Sequence, residues 1–171
     1  MFFKKMKKNK MIKERGPGPL RMSIYIIITL FVVAGFFLYW SDWDSKRKVK
    51  IIITIKHHME TVNYIQEEIF KCSNDESNII MKGYLSCSEM TATKVVESTH
   101  KTFNRPALSQ FNPYLRPAEI KTLRISTNNN TDEDVGYVNL SASGSDVVVK
   151  SCYKKPCSNE NNRRSDTIEI E

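Results

Sequence analysis

The sequence predicts an α+β fold: a long N-terminal helix, transmembrane and then amphipathic, packed on a small antiparallel β-sheet. Three observations carry that prediction. Residues 22–40 form an apolar run without charge or proline. Ile52, Ile55, Met59, Val62, Ile65 or Gln66, and Ile69 then recur at intervals of three and four, the period of a helix with one greasy side. In the last third the period drops to two, as in strands with one wet face. The divisions that follow are a basic cytoplasmic tail at 1–21, a transmembrane helix at 22–40, its amphipathic continuation at 41–72 and an exported α+β head at 73–171.

The apolar run has 19 residues, which as a helix rise roughly 28 Å, close to the thickness of a bilayer's hydrocarbon core. It ends in Tyr39 and Trp40, rings that suit the membrane–water interface. The net charge of +7 invites a nucleic-acid partner, but its distribution argues against one. Lys4, Lys5, Lys7, Lys8, Lys10, Lys13, Arg15 and Arg21 stand against the single acid Glu14 before the run. Taking those eight bases and one acid from the chain's 26 and 19 leaves 18 of each. A basic run next to a span directs topology and keeps its own side cytoplasmic. The reading is therefore a single-pass protein of the cell (inner) membrane, with a periplasmic or extracellular C-terminal domain and the lipid bilayer as partner. The run is longer than a usual signal-peptide core, and no small-x-small site follows it, so a retained anchor is expected.

All four cysteines, Cys72, Cys87, Cys152 and Cys157, follow the run. An even number on the exported side reads as disulfides in an oxidising compartment. Three pairings are possible, and sequence proximity favours Cys72 with Cys87 and Cys152 with Cys157. Metal binding is a poor fit, because the spacing is not C-x-x-C and no histidine lies near in sequence.

Along the head, residues 73–78 are a polar loop and 79–85 a short strand. Ser86 and Glu89 have the spacing of a capping box before a short helix whose apolar face is Ala92, Val95, Val96, Thr99 and Phe103. Three of the chain's six prolines fall in 104–117, which reads as loop. Leu123 and Ile125 open the strand region. Val138, Leu140 and Ala142 alternate with polar residues, Gly144 and Ser145 turn the chain, and Val147 and Val149 alternate again. Ile168 and Ile170 form a last strand, and 128–134 is a polar loop.

No strong catalytic motif is present. His57 and His58 are adjacent, so a helix points them apart, and they read as solvated helix-face residues, as does His100. Glu67 and Glu68 read as part of the wet helix face. Asp132, Glu133 and Asp134 cluster without the spacing of a calcium loop. Asn129 and Asn139 begin glycosylation triplets, which matter only in a host with that machinery. No catalytic, cofactor-binding or metal residue is assigned, and no cofactor is expected.

A basic leader, an apolar helix continuing as an amphipathic one, a variable loop, an antiparallel sheet and a C-terminal disulfide loop together resemble the type IV pilins and pseudopilins. Residues 22–72, the strands around 138–149 and the Cys152–Cys157 loop carry the resemblance, with Asn112, Pro113 and Tyr114 as a smaller match. It implies homologous pilin-like subunits as partners through the N-terminal helix and a structural, non-enzymatic role. Family members are cut after a glycine and have glutamate at the fifth position that results. Here Gly16 and Gly18 each precede proline, and cutting after them puts Arg21 or Ser23 at that position. A minor or non-assembling member fits this better than a major subunit. The alternative is a membrane-tethered ligand-binding or sensing module that presents loops 104–117 and 128–134.

Overall fold

The computed structural model describes residues 19–105, 110–115, 121–127 and 131–170. The chain divides into two compact units, Met1–Asp44 and Ser45–Glu171. Most of the basic tail and the Asn129 triplet's first residues lie outside the described residues.

Helix α1 covers Pro19–Ser73. In the first unit every described side chain from Met22 to Trp43 is exposed. The most apolar window of α1 has a mean hydropathy of 2.3 and none of it is buried, so the helix is long and apolar enough to cross a membrane. Phe36, Trp40 and Trp43 follow at helical intervals, with ring centroids 5.9 and 6.1 Å apart.

The second unit is an α+β head. Beyond α1 it contains β1 (Ile79–Ile80), β2 (Leu85–Ser86), α2 (Ala92–Phe103), β3 (Leu123–Ile125), β4 (Val138–Ser143), β5 (Asp146–Cys152) and β6 (Arg163–Glu169). β3, β4, β5 and β6 lie side by side in that order. The β4–β5 and β5–β6 pairs are antiparallel, whereas β3 pairs with β4 in parallel. The sheet is therefore mixed, which corrects the expectation of a purely antiparallel one. The 12 residues between Ile125 and Val138 return the chain to the starting end of the sheet before β4 begins, where a hairpin would have reversed its direction. The β4–β5 turn is the two-residue Gly144–Ser145, as the sequence suggests, with Gly144 at φ +63°.

The pleat sorts the sheet's residues. Leu140 faces Val149, and Val147 faces Ile168, so these share the side that meets the helices. They form one core with Leu123 and Val138, with Val62 and Ile65 of α1, with Ala92, Val95, Val96 and Phe103 of α2, and with Ile80, Met81 and Leu85. Tyr64 meets Phe103 edge-on at 5.2 Å. The apolar face expected for α2 is buried as predicted.

Three local expectations are corrected. The single strand at 79–85 is two short antiparallel strands around a tight turn. The capping box at Ser86 and Glu89 does not form; Ser86 makes no side-chain cap, and α2 is capped by Thr91, whose hydroxyl accepts from the Lys94 N–H at 3.4 Å. A threonine directly before the helix can reach the free N–H groups of the first turn, and Ser86 is too far upstream. Finally, the buried sector of α1 is Thr54, His58, Thr61, Val62, Ile65 and Glu68. It is turned from the apolar stripe, and Ile52 stays 63% exposed.

Ile65→Ala and Leu140→Ala should each lower the head's stability by about 2–5 kcal/mol through lost contacts and a cavity. Ile52→Ala should change it by less than about 0.5 kcal/mol. Urea titration of the full chain in detergent micelles checks both.

Candidate functional site: a disulfide loop, a tyrosine clamp and a buried histidine

The structure pairs Cys72 with Cys87 and Cys152 with Cys157. It thus brings the four cysteines together as two separate bonds, each between neighbours in the chain.

The Cys152–Cys157 loop leaves the end of β5, and both of its cysteines are fully buried. Three segments hold it. The Cys157 N–H donates to Asp132 Oδ1 at 2.8 Å, and the Gly136 N–H donates to the Cys152 carbonyl at 2.8 Å. Asn162 Nδ2 donates to the Pro156 carbonyl at 3.0 Å. The Tyr114 hydroxyl donates to the Tyr153 carbonyl at 2.5 Å. Asn112 sets Tyr114 in place: its Oδ1 accepts from the Tyr114 N–H at 2.9 Å while its Nδ2 donates to the Val135 carbonyl at 3.0 Å. Asn112, Pro113 and Tyr114 thus form a clamp on the disulfide loop. Gly136 lets them approach. It sits at φ +81°, and a Cβ there would collide with Asn112 Oδ1 and lie 2.7 Å from the Tyr114 ring. Burial pushes the Tyr114 phenol up, against the pull of Arg47.

The acidic run beside this loop is divided among different partners. Asp132 takes the Cys157 N–H. Asp134 is buried against the Arg124 guanidinium and accepts from the Thr131 N–H and hydroxyl. Only Glu133 is left on the surface without a described partner. Among the described residues no group of three or more His, Cys, Asp or Glu is placed to hold a metal ion. Arg124 also lies over the Tyr137 ring at 4.0 Å and donates to Asn139 Oδ1. Asn139 is fully buried in β4, so its glycosylation triplet is inaccessible, and this end of the sheet's outer face is covered where a wet face was expected.

Two helix residues also depart from the sequence reading. Glu68 is 7% exposed. Its carboxylate accepts from the Met81 N–H and pairs with Lys71 at 2.7 Å. Met81 and Lys82 adopt φ of +54° and +56°, and the Thr102 hydroxyl donates to the Met81 carbonyl at 3.1 Å. A left-handed backbone at non-glycine residues persists only where surroundings over-determine it, and Glu68 and Thr102 do so here.

His58 is 0% exposed. Its Nε2 lies 2.6 Å from Asp166 Oδ2, which also accepts from Arg164 Nε at 2.8 Å. β6 registers Asp166 opposite Val149, on the face that meets the helices. Among the described residues His58 Nδ1 has no partner. Burial holds His58 below the ordinary histidine range, while its bond to Asp166 pulls it upward. The bond from Arg164 is the main force holding Asp166 below the usual carboxylate range, with His58 adding to it. A histidine–carboxylate pair serves a general base when a substrate can reach the free nitrogen. Here the histidine ring is sealed while Asp166 stays part-exposed, so what the pair does is join α1 to β6. Apolar periodicity does not reveal such a contact, because the signal is a polar residue at a helix position facing the core. His57 Nδ1 lies 3.4 Å from Thr122 Oγ1, and His100 reaches Asn104.

The pH dependence follows in sign. Folding favours neutral His58 and ionised Asp166, so the unfolded chain binds more protons as pH falls. Stability should drop as pH falls below about 6.5, with a further loss below about 3.9 from Asp166. His58→Gln should flatten the first part of that slope in urea titrations; His57 and His100, also lowered by burial, should leave a remainder. His58→Ala should cost roughly 2–4 kcal/mol at neutral pH.

Gly136→Ala should cost roughly 1–3 kcal/mol and should make Cys152–Cys157 reduce faster, followed by alkylation and mass spectrometry. Gly144→Ala, which meets nothing within 4 Å, should leave that rate unchanged.

No protein-family model, no curated protein and no solved structure matches this chain.

Proposed function

We propose that this chain is a pilin-like, single-pass membrane protein of the cell (inner) membrane. Its α+β head is an exported structural or interaction domain, and the chain is a minor or non-assembling member of a filament system. The observation that supports it is α1 itself. Pro19–Ser73 is one helix, exposed and apolar over its first stretch and built into the head's core over its second. An all-round apolar helix suits either a bilayer or the core of a bundle of like helices. A binding rather than catalytic role fits a head whose buried ionisable groups are engaged with one another. The orientation, with the head exported, rests on the basic residues before the span and on two disulfides beyond it.

A second reading is the tethered module that meets a ligand without entering any filament. Arg21 or Ser23, where the resembling family has glutamate, favours it.

Intact mass and fractionation of the native chain separate these readings. A chain shortened after Gly16 or Gly18 and recovered in sheared filaments supports the first. An uncleaved chain confined to the membrane pellet supports the second. A soluble exported chain lacking residues 22–40 defeats both.

A further inference from the structure

Four basic residues lie on two segments that meet at Tyr114. Arg47 and Lys50 are on α1, seven and ten residues after Trp40. Lys154 and Lys155 are in the loop closed by Cys152 and Cys157. Tyr114 links the two pairs. The Lys50 ammonium sits 5.4 Å from its ring centroid, and its hydroxyl holds the Tyr153 carbonyl, next to Lys154. Arg47 is near enough to act on the same phenol. Among the described residues none of the four cations is in an ion pair. Asp134 is buried against Arg124, and Asp132, which accepts the Cys157 N–H, stays exposed with Glu133.

We propose that Arg47, Lys50, Lys154 and Lys155 form a docking surface for the phosphate headgroups of anionic lipids, which holds the disulfide loop at the surface of the membrane that anchors α1. The proposal rests on reading residues 22–40 as a membrane span. Chain connectivity makes lipid the favoured anion. Ten residues separate Lys50 from Trp40, and they reach at most roughly 35 Å even when fully extended. The patch therefore meets headgroups at high effective concentration, so weak attraction at each charge suffices. Like charges on neighbouring segments repel, and an anionic surface relieves that repulsion.

The test uses the full chain in nanodiscs of phosphatidylcholine alone and of equal parts phosphatidylcholine and phosphatidylglycerol. Amine acylation rates at Lys50, Lys154 and Lys155 are read by peptide mass spectrometry, with Lys101 on α2 as an internal control. In the anionic discs the three lysines should label several-fold more slowly relative to Lys101, and high salt should erase the difference. Lys154→Gln combined with Lys155→Gln should weaken the protection of Lys50; alkylation before and after reduction verifies that the disulfides remain. Equal rates in the two discs overturn the proposal. So does equal protection in neutral discs by inorganic phosphate at matched ionic strength, which assigns the site to a free anion. Stronger protection by a short DNA duplex assigns it to nucleic acid and also overturns it. A chain that fails to enter discs at all defeats the membrane reading, a result distinct from insertion without protection.

Discussion

Along α1 the face turned to the head is partly polar. Thr54, His58, Thr61 and Glu68 are buried there beside Val62 and Ile65. A buried polar group without a partner costs more than an apolar one in its place, so each of these residues narrows the ways the head can pack. Thr54 and Thr61 settle locally, donating to the carbonyls one turn back, of Lys50 and His57. His58 and Glu68 need partners from elsewhere: a carboxylate on β6 and a backbone N–H in the turn after β1. A slide of the helix by one turn would strand both, and a slip of β6 by one residue would strand His58. Apolar contacts supply the adhesion of this interface, and the polar seam supplies its register.

The same seam explains why some of the fold was legible in the sequence and some was not. The apolar run, the continuation of the helix, the face of α2 and the hairpin at Gly144 and Ser145 each follow from hydropathy, periodicity or turn chemistry within one continuous stretch of chain. The buried sector of α1 does not, since it is fixed by Asp166, 108 residues away from His58. A hydropathy pattern finds the stripe containing Ile52 and Ile55 because it scores side chains one by one; it has no means to reward His58 for a partner on another strand. The parallel β3–β4 pairing depends likewise on where a loop carries the chain. The left-handed turn at Met81 defies local preference altogether and is maintained by Glu68 and Thr102.

The candidate site shows the same division. The cysteine pairs follow chain proximity. Asn112, Pro113 and Tyr114 stand out weakly in sequence, and only the structure shows Asn112 orienting Tyr114 so that it reaches the Tyr153 carbonyl. The acidic run at 132–134 looks like one cluster in sequence and is divided in space. Among the described residues, the buried His58, Glu68 and Asp134 are each engaged by another group of the head.

Both disulfides join each cysteine to the next one in the chain, across 15 and 5 residues. A chain delivered to an oxidant in the order of its synthesis meets the correct partner first each time: Cys87 arrives while Cys72 is the sole thiol available, and that bond can close before Cys152 emerges. For a head exported N-terminal end first, that order alone would select one of the three pairings. The order of the cysteines along the chain thus matches the order in which they pair.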